Sequence, residues 1–146
     1  MSTRTITSIA WSDPSLVYTF NGQLGEANGA KHVPVAKLKA DNKWWLATAV
    51  GPGTELAGEF GIAITLQQGQ VDEYVPLLGS GNVIAEGTFS SGHAYILGGG
   101  SPGDMNDDAD ESTPSWIKTH LFHARSASGT NVQLIVAPVV VGVATA

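Results

Sequence analysis

Short stretches of alternating hydrophobic and polar residues, interrupted by glycine and proline, run along the whole chain. Residues 33–39 alternate with a period of two, and residues 43–49 follow after a turn-forming Ala-Asp-Asn, which predicts a β-hairpin. Residues 70–78 and 82–86 predict two further strands, separated by a Gly-Ser-Gly at 79–81. Few stretches between glycine and proline residues are long enough to form three helical turns. The pattern predicts an all-β domain of about nine short strands, either a small β-barrel, tulip-like in outline, or a sandwich.

Turn signals suggest how this domain is organised. We expect residues 1–30 to form an extended N-terminal arm and a first hairpin that turns at the Asn-Gly of 21–22. Residues 31–146 would form the barrel-like domain. Within it, the glycine-rich and acidic residues 98–113 predict a mobile loop. Residues 115–124 fit a short helix capped by Thr-Pro-Ser and also fit a strand, so both alternatives stay open.

The composition changes the picture by excluding several classes of protein. The chain of 146 residues has no cysteine, which excludes disulfides, thiolate metal sites and a cysteine nucleophile. Only 14% of the residues are charged, and the net charge of −6 is uneven: residues 1–43 carry +2, residues 44–117 carry −10 and residues 118–146 carry +2. This distribution lacks the clustered basic residues of a nucleic-acid binder.

The chain also lacks the features of membrane and exported proteins. No apolar run approaches the ~20 residues of a membrane-spanning helix. The first eleven residues have no apolar run after Arg4, so we expect no signal peptide and synthesis inside the cell. We expect no membrane partner and no direct nucleic-acid partner.

The acidic residues of the predicted loop are candidate ligands for a calcium ion. Asp104, Asn106, Asp108 and Asp110 place oxygen atoms at alternate positions, as calcium requires. However, Ala109 stands where an EF-hand loop has its glycine, and no acid follows at the twelfth position. We therefore predict a solvated acidic loop and keep calcium binding as the alternative.

Other candidate chemistry is sparse. His120 and His123 are three residues apart, which puts them on one face only of a helix, and a metal would need a third ligand. The chain has neither a G-x-S-x-G elbow nor a phosphate-binding loop. We therefore expect no metal, no cofactor and no enzymatic activity. The tryptophans predict a core position and an interface position for the adjacent pair Trp44-Trp45, or else stacking on sugar rings.

The order of these pieces resembles one family. Residues 37–49 resemble the opening hairpin of the small head decoration (capsid cement) proteins of tailed phages, and Gly-Ile-Ala-Ile at 61–64 matches the segment that follows it. The strands and turns at 69–81 and 83–96 come next in the same order. Residues 121–136 resemble the last hairpin of the family. The resemblance covers roughly two thirds of the chain, from residue 33 to residue 137.

The resemblance implies a small β-barrel or tulip-like domain on the outer surface of an icosahedral virion. Such proteins bind the major capsid protein, form homotrimers at three-fold and quasi-three-fold axes, and stabilise the contacts between capsid subunits. The family has no catalytic residues to carry over. We expect the N-terminal arm to bind the capsid by adding a strand to it, and aromatic residues to form the trimer or capsid interface. The arm residues are Arg4, Thr5, Ile6, Thr7 and Ile9; the interface candidates are Trp11, Trp44, Trp45, Tyr74 and Trp116.

The second hypothesis is a β-sandwich module on the virion surface that binds carbohydrate. Trp44, Trp45 and Tyr74 would stack on the sugar, and calcium bound at the acidic loop is an optional part of this hypothesis.

Overall fold

The computed structural model describes residues 4–49, 55–110, 117–128 and 131–143. Over these ranges the chain is almost entirely β: ten antiparallel strands form one sheet that curls into a half-barrel, so the predicted all-β class is confirmed. Two single-turn 3₁₀ segments, Pro14–Leu16 and Asp108–Asp110, interrupt it. The strands are β1 Ile6–Ala10, β2 Val17–Gln23, β3 Pro34–Lys37, β4 Trp44–Leu46, β5 Ile62–Thr65, β6 Tyr74–Gly87, β7 Ala94–Leu97, β8 Met105–Asp107, β9 Ile117–Ser128 and β10 Asn131–Val143.

The 14-residue strand β6 is the centre of the sheet. One edge of β6 pairs with β2 along its first half and with β1 along its second half. Its other edge pairs with β5 at Leu77 and Leu78, and with β10 from Gly81 to Glu86. The order continues through β3 to β4 on one side, and through β9 and β7 to β8 on the other. Four strands therefore depend on the register of one.

Each end of the sheet returns to the first edge of β6 through a single bridge. Leu24, just after β2, bridges Trp44 of β4, and this bridge closes a smaller ring of β2, β6, β5, β3 and β4. Arg4, just before β1, bridges Met105 of β8 with an N–H···O=C distance of 2.7 Å. This second bridge closes a larger ring of β1, β6, β10, β9, β7 and β8.

The buried side chains form two clusters, and the larger one also includes Ala36 of β3 and Ile64 of β5 from the smaller ring. The smaller cluster consists of Leu24, Val35, Trp44, Ala63, Val75 and Leu77. The larger cluster is centred on the aromatic stack of Tyr95 and Phe122, whose ring centroids are 5.2 Å apart, with Phe89 edge-on to both rings. Leu77 and Leu78 are adjacent and fully buried but belong to different clusters, because successive side chains of a strand point to opposite faces.

Two glycine turns predicted from the sequence lie inside strands. Asn21-Gly22 is part of β2. Glycine is required at position 22 for packing, because a Cβ there would lie 2.6 Å from the side chains of Trp44 and Leu77. Residues 79–81 do not separate two strands either. Gly81 has a φ of +136° and lies where both edges of β6 change partners, so the strand bends there and continues.

Two segments whose structure the sequence left uncertain contain strands where the structure describes them. Met105, Asn106 and Asp107 form β8 and are all buried, so the expected mobile loop at 98–113 is wrong over this part. The reason is that Met105 packs in the larger core while β8 pairs with β7. Residues 111–113 lie outside the described residues. Of the alternatives for 115–124, the strand is the one observed, from Ile117 onward.

The N-terminal segment is also a strand of this domain. The expectation of an extended, unpaired arm is wrong from Arg4 onward, because β1 pairs with β6 and Ile6 is only 4% exposed within the larger core. Burial of Ile6 explains this difference, since an arm that waited for a capsid strand would leave that side chain in water.

Ile6→Ala should therefore lower the free energy of unfolding by about 2–4 kcal/mol, the range typical of buried Ile-to-Ala substitutions. The exposed neighbour Thr5 provides the control, and Thr5→Ala should change stability by less than about 0.5 kcal/mol. Urea unfolding followed by tryptophan fluorescence measures both. Equal stabilities for the two variants would show that residue 6 is not part of the core.

Candidate functional site

An apolar patch on the outer face of the sheet brings together side chains from three segments. Trp11 follows β1, Leu16 ends the first 3₁₀ turn, and Ile84 projects outward from β6. All three are well exposed, with Trp11 at 36%, Ile84 at 49% and Leu16 at 54%. They line a shallow cleft of about 120 Å³ together with Ser12, Asp13, Asn82, Val83 and Gln133. We call this group of residues the Trp11 patch.

The turn between β1 and β2 positions two members of the patch. Asp13 caps it: its Oδ1 accepts a hydrogen bond from the Ser15 hydroxyl at 2.6 Å and another from the Ser15 N–H at 3.0 Å. These two hydrogen bonds, the hydroxyl one foremost, lower the pKa of Asp13 below its usual 3.8. Pro14 occupies the first position of the turn, where its fixed φ and missing N–H suit it. The ionised cap thereby fixes the chain between Trp11 and Leu16.

Gly81 sets the position of this turn on β6. A Cβ at Gly81 would lie 2.5 Å from the carbonyl oxygen of Leu16 and 2.7 Å from the Cα of Val17. Both are backbone atoms, which cannot move aside without displacing the chain. Since the φ of +136° is also one that other residues rarely adopt, glycine is required here on two grounds.

The predicted aromatic residues fall in different places. Trp11 lies in the patch just described, and Trp116 lies outside the described residues. Trp44 is 8% exposed and belongs to the smaller core. Trp45, its neighbour, faces the other way: its ring lies against Gly25, and its Nε1–H donates to Asp41 Oδ2 at 3.0 Å. The structure thus brings Trp44 and Tyr74 to one cleft and separates Trp11 and Trp45 from them.

The five arm residues are likewise not one surface. Ile6 is buried, Ile9 is partly buried against the larger core, and Thr5 is exposed. The hydroxyl of Thr7 donates to the carbonyl oxygen of Glu86 at 3.2 Å, at the point where the register of β1 on β6 shifts. Arg4 forms the bridge to Met105. The segment is therefore an edge strand with one face in the core.

A second cleft, of about 260 Å³, opens at the end of the smaller ring. Phe20 and Trp44 lie next to one another here, with ring centroids 5.5 Å apart, and Tyr18 stacks on Phe20 at 5.3 Å. Tyr74, which is 67% exposed, lines the same cleft. We call it the Tyr74 cleft. The other lining residues are Asn21, Gly22, Gln23, Lys37, Asp41 and Asn42.

The far end of the larger ring is polar. His93 Nδ1 lies 2.6 Å from Oδ2 of the buried Asp107. Burial alone would raise the pKa of Asp107, but the N–H of Ala109, the hydrogen bond and charge of His93, and the charge of Arg4 together lower it below 3.8. Asp107 is therefore the ionised acceptor and His93 Nδ1–H the donor. Nearby, Lys118 Nζ pairs with Asp108 Oδ1 at 2.6 Å.

His120 and His123 lie on the same outer face of β9 although they are three residues apart in a strand. The register of β9 shifts between them, and the two intervening residues, Leu121 and Phe122, are both buried. This bulge was not foreseen from the sequence, which allows such spacing on one face only in a helix. Burial, followed by the charge of His123, lowers the pKa of His120.

Neither metal-site hypothesis gains ligands from this geometry. Among the described residues, no group of three or more histidine, aspartate or glutamate side chains is arranged to hold a metal ion. Of the proposed calcium ligands, Asp108 is paired with Lys118 and Asp104 Oδ2 accepts the Ser101 N–H at 3.1 Å. Across the same residues, no helix has the length and apolar character needed to cross a membrane.

Comparison with known proteins adds no relative. No protein-family model, curated protein or solved structure matches the chain. The interpretation of both clefts therefore depends on the residues themselves.

Sequence reasoning missed Leu16 and Ile84 in the Trp11 patch, and Tyr18 and Phe20 beside the Tyr74 cleft. An alternating strand pattern shows that its residues divide between two faces, but does not say which face is buried.

Gly81→Ala should destabilise the protein by about 2–5 kcal/mol, since it combines a disfavoured φ with a clash against two backbone atoms. Gly29→Ala is the matched control. Gly29 also has a positive φ, of +72°, but no atom lies within 4 Å of the Cβ position, so the cost should be only about 1 kcal/mol. Urea unfolding compares the two. Equal losses would mean that Gly81 does not need the space.

The free energy of unfolding should also decrease in two steps as the pH is lowered. Burial lowers the pKa of His32 and His120 below 6.5, so the unfolded chain takes up protons first as the pH falls from about 6.5. The contribution of Asp107, whose pKa is lowered, is present above about pH 3.8 and is lost as the pH falls through its folded value. Unfolding in urea between pH 8 and pH 3 measures this profile. His120→Gln should flatten the first step, and an unchanged slope would contradict the assignment.

Proposed function

We propose that this chain is a non-enzymatic structural protein that docks on the outer surface of a tailed-phage head. Its partner there is the major capsid protein, and its role is to stabilise the contacts between capsid subunits. In this proposal the protein is made in the host cytoplasm, becomes part of the virion surface, and assembles as a homotrimer at three-fold and quasi-three-fold axes. The family resemblance of residues 33–137 supports the partner and the trimer.

The observation that carries the proposal is the Trp11 patch. Three large apolar side chains from separate segments converge on one exposed site, which is rimmed by the polar residues Ser12, Asn82 and Gln133 and by the ionised Asp13. Exposed apolar patches with a polar rim mark protein interaction sites. Tryptophan is also the residue type most enriched among those that dominate binding energy at interfaces.

The sheet edge beside the patch supports docking by strand pairing. Within the described ranges, β1 and β2 pair with β6 alone, apart from the single bridges of the residues that flank them, Arg4 and Leu24. Their outer edges therefore offer backbone N–H and C=O groups to a strand of another protein. In this form, a capsid strand would add to an edge that is already folded, and no free arm is needed.

The double variant Trp11→Ser with Leu16→Ser should bind expanded phage heads at least about tenfold more weakly than the natural chain. Both residues are exposed and belong to neither core cluster, so the variant should fold. Cosedimentation with heads stripped of decoration protein measures binding. Val71→Ser, which removes an exposed apolar residue away from the patch, is the control and should bind normally.

Two results would contradict this docking surface. One is full binding by the double variant. The other is an equal loss in the Val71→Ser control, which would indicate a non-specific effect of lowered surface hydrophobicity.

Electron microscopy of the decorated heads tests the trimer separately, because density at positions other than the three-fold axes would exclude that part of the proposal.

A further inference from the structure

The Tyr74 cleft has the features of a small-ligand site, and it shares no residue with the Trp11 patch. Its volume of about 260 Å³ is just below the roughly 300–1,000 Å³ of pockets for drug-sized ligands, so it suits a ligand of about one ring. Phe20 and Trp44 present aromatic surface, and Tyr74 adds a well-exposed third ring. An apolar ring face is what the non-polar face of a flat ligand requires.

Polar groups surround these rings. Asn21 and Gln23 come from β2, and Asn42 comes from the β3–β4 turn. Each amide offers both hydrogen-bond donors and an acceptor, which is the combination that neighbouring hydroxyl groups need. Lys37 and Asp41 also line the cleft, so one positive and one negative charge balance there.

The cleft is held between two constrained turns. Asn42 and Asp72, with φ of 61° and 67°, are the two non-glycine residues with positive φ in the described part of the chain. Lys43 Nζ joins the two turns by pairing with Asp72 Oδ1 at 2.7 Å, and Gln23 Nε2–H donates to the carbonyl oxygen of Asp72 at 3.1 Å. Asn and Asp adopt this left-handed conformation more readily than other non-glycine residues, so both turns are well defined.

We propose that the Tyr74 cleft binds one ring of a neutral saccharide. The ring would lie against Tyr74 and the Phe20–Trp44 pair, and its hydroxyl groups would bond to Asn21, Gln23 and Asn42. The balanced charges of Lys37 and Asp41 favour a neutral sugar over a phosphate or an acidic sugar, which would need an excess of positive charge. The site differs from the sugar platform expected from the sequence, because the Trp45 ring lies against Gly25 and does not line the cleft.

Titration of the ¹⁵N-labelled full chain with methyl glycosides of glucose, galactose, mannose and N-acetylglucosamine tests this directly. At least one glycoside should shift the indole N–H signal of Trp44 with a Kd of about 1 mM or below, the affinity expected for a single small ring. The indole signal of Trp11, which lines the other cleft, should not move. The measurement needs no capsid, so its outcome is independent of the proposed docking.

Two exposed aromatic residues, one in each cleft, provide a matched pair of variants. Tyr74→Ala should weaken binding of the active glycoside by at least about fivefold, because it removes a lining ring. Trp11→Ala removes a ring that lines the other cleft and should change the Kd by less than about twofold. Both side chains are exposed and belong to neither core cluster, so neither variant should lose the fold.

The proposal would be overturned by any of three results. The first is that none of the four glycosides shifts the Trp44 signal. The second is that Tyr74→Ala and Trp11→Ala lose affinity equally, or that the shifts centre on Trp11. The third is that adenosine, a flat ring of different chemistry, shifts Trp44 while the glycosides do not.

Discussion

The rest of the structure depends on the pairing of both edges of β6. Because β6 supplies Val75 and Leu77 to the smaller core and Leu78, Val83 and Ala85 to the larger one, its register decides what both cores contain. A shift by one residue would turn each of these side chains to the opposite face. Four partner strands oppose such a shift.

The strand can serve two cores because its alternation changes once. Leu78 and Val83 are five residues apart, an odd spacing, and would face opposite sides of a regular strand, yet both belong to the larger cluster. The register of β2 on β6 shifts next to Gly79, and Gly81 bends the chain with its positive φ. The extra residue at this point resets the alternation. The same bend brings the turn between β1 and β2 close to β6, and that turn carries Trp11 and Leu16.

The sequence was sufficient to predict the class of the fold and the positions of most strands, since these follow from alternation and turn residues. It was misleading where glycine serves packing instead of turning the chain. Gly22 was interpreted as part of a hairpin turn, but its lack of a side chain makes room for Trp44 and Leu77. No local pattern distinguishes these two uses of glycine, because the residues that need the space lie in other strands.

The candidate sites were harder to predict than the strands. Of the aromatic residues chosen from the sequence, Trp11 and Tyr74 are exposed and Trp44 reaches the edge of a cleft, while Ile6 of the arm is buried. Selecting candidate interface residues by residue type therefore identified some exposed side chains and also included buried ones. The grouping into two separate clefts could not be foreseen, since it depends on how β6 brings β2, β3 and β4 together, and on which face of each strand is covered.

The positions of the acidic residues explain why the outer face of the sheet has so few charges. In the described part of the chain, carboxylates accept hydrogen bonds from backbone N–H groups, most of them in loops and turns, and Asp72, Asp107 and Asp108 lie against Lys43, His93 and Lys118. Such carboxylates fix the connections between strands and are not spread over an open surface. On the β6 and β10 face, the charged residue Glu86 lies beside Asn82, Ile84, Gln133 and Ile135. An exposed apolar side chain such as Ile84 gains from being covered, and this gain is the physical basis of the proposed docking. The carboxylates that accept backbone N–H groups are Asp13, Glu26, Asp41, Glu73, Asp104 and Asp107.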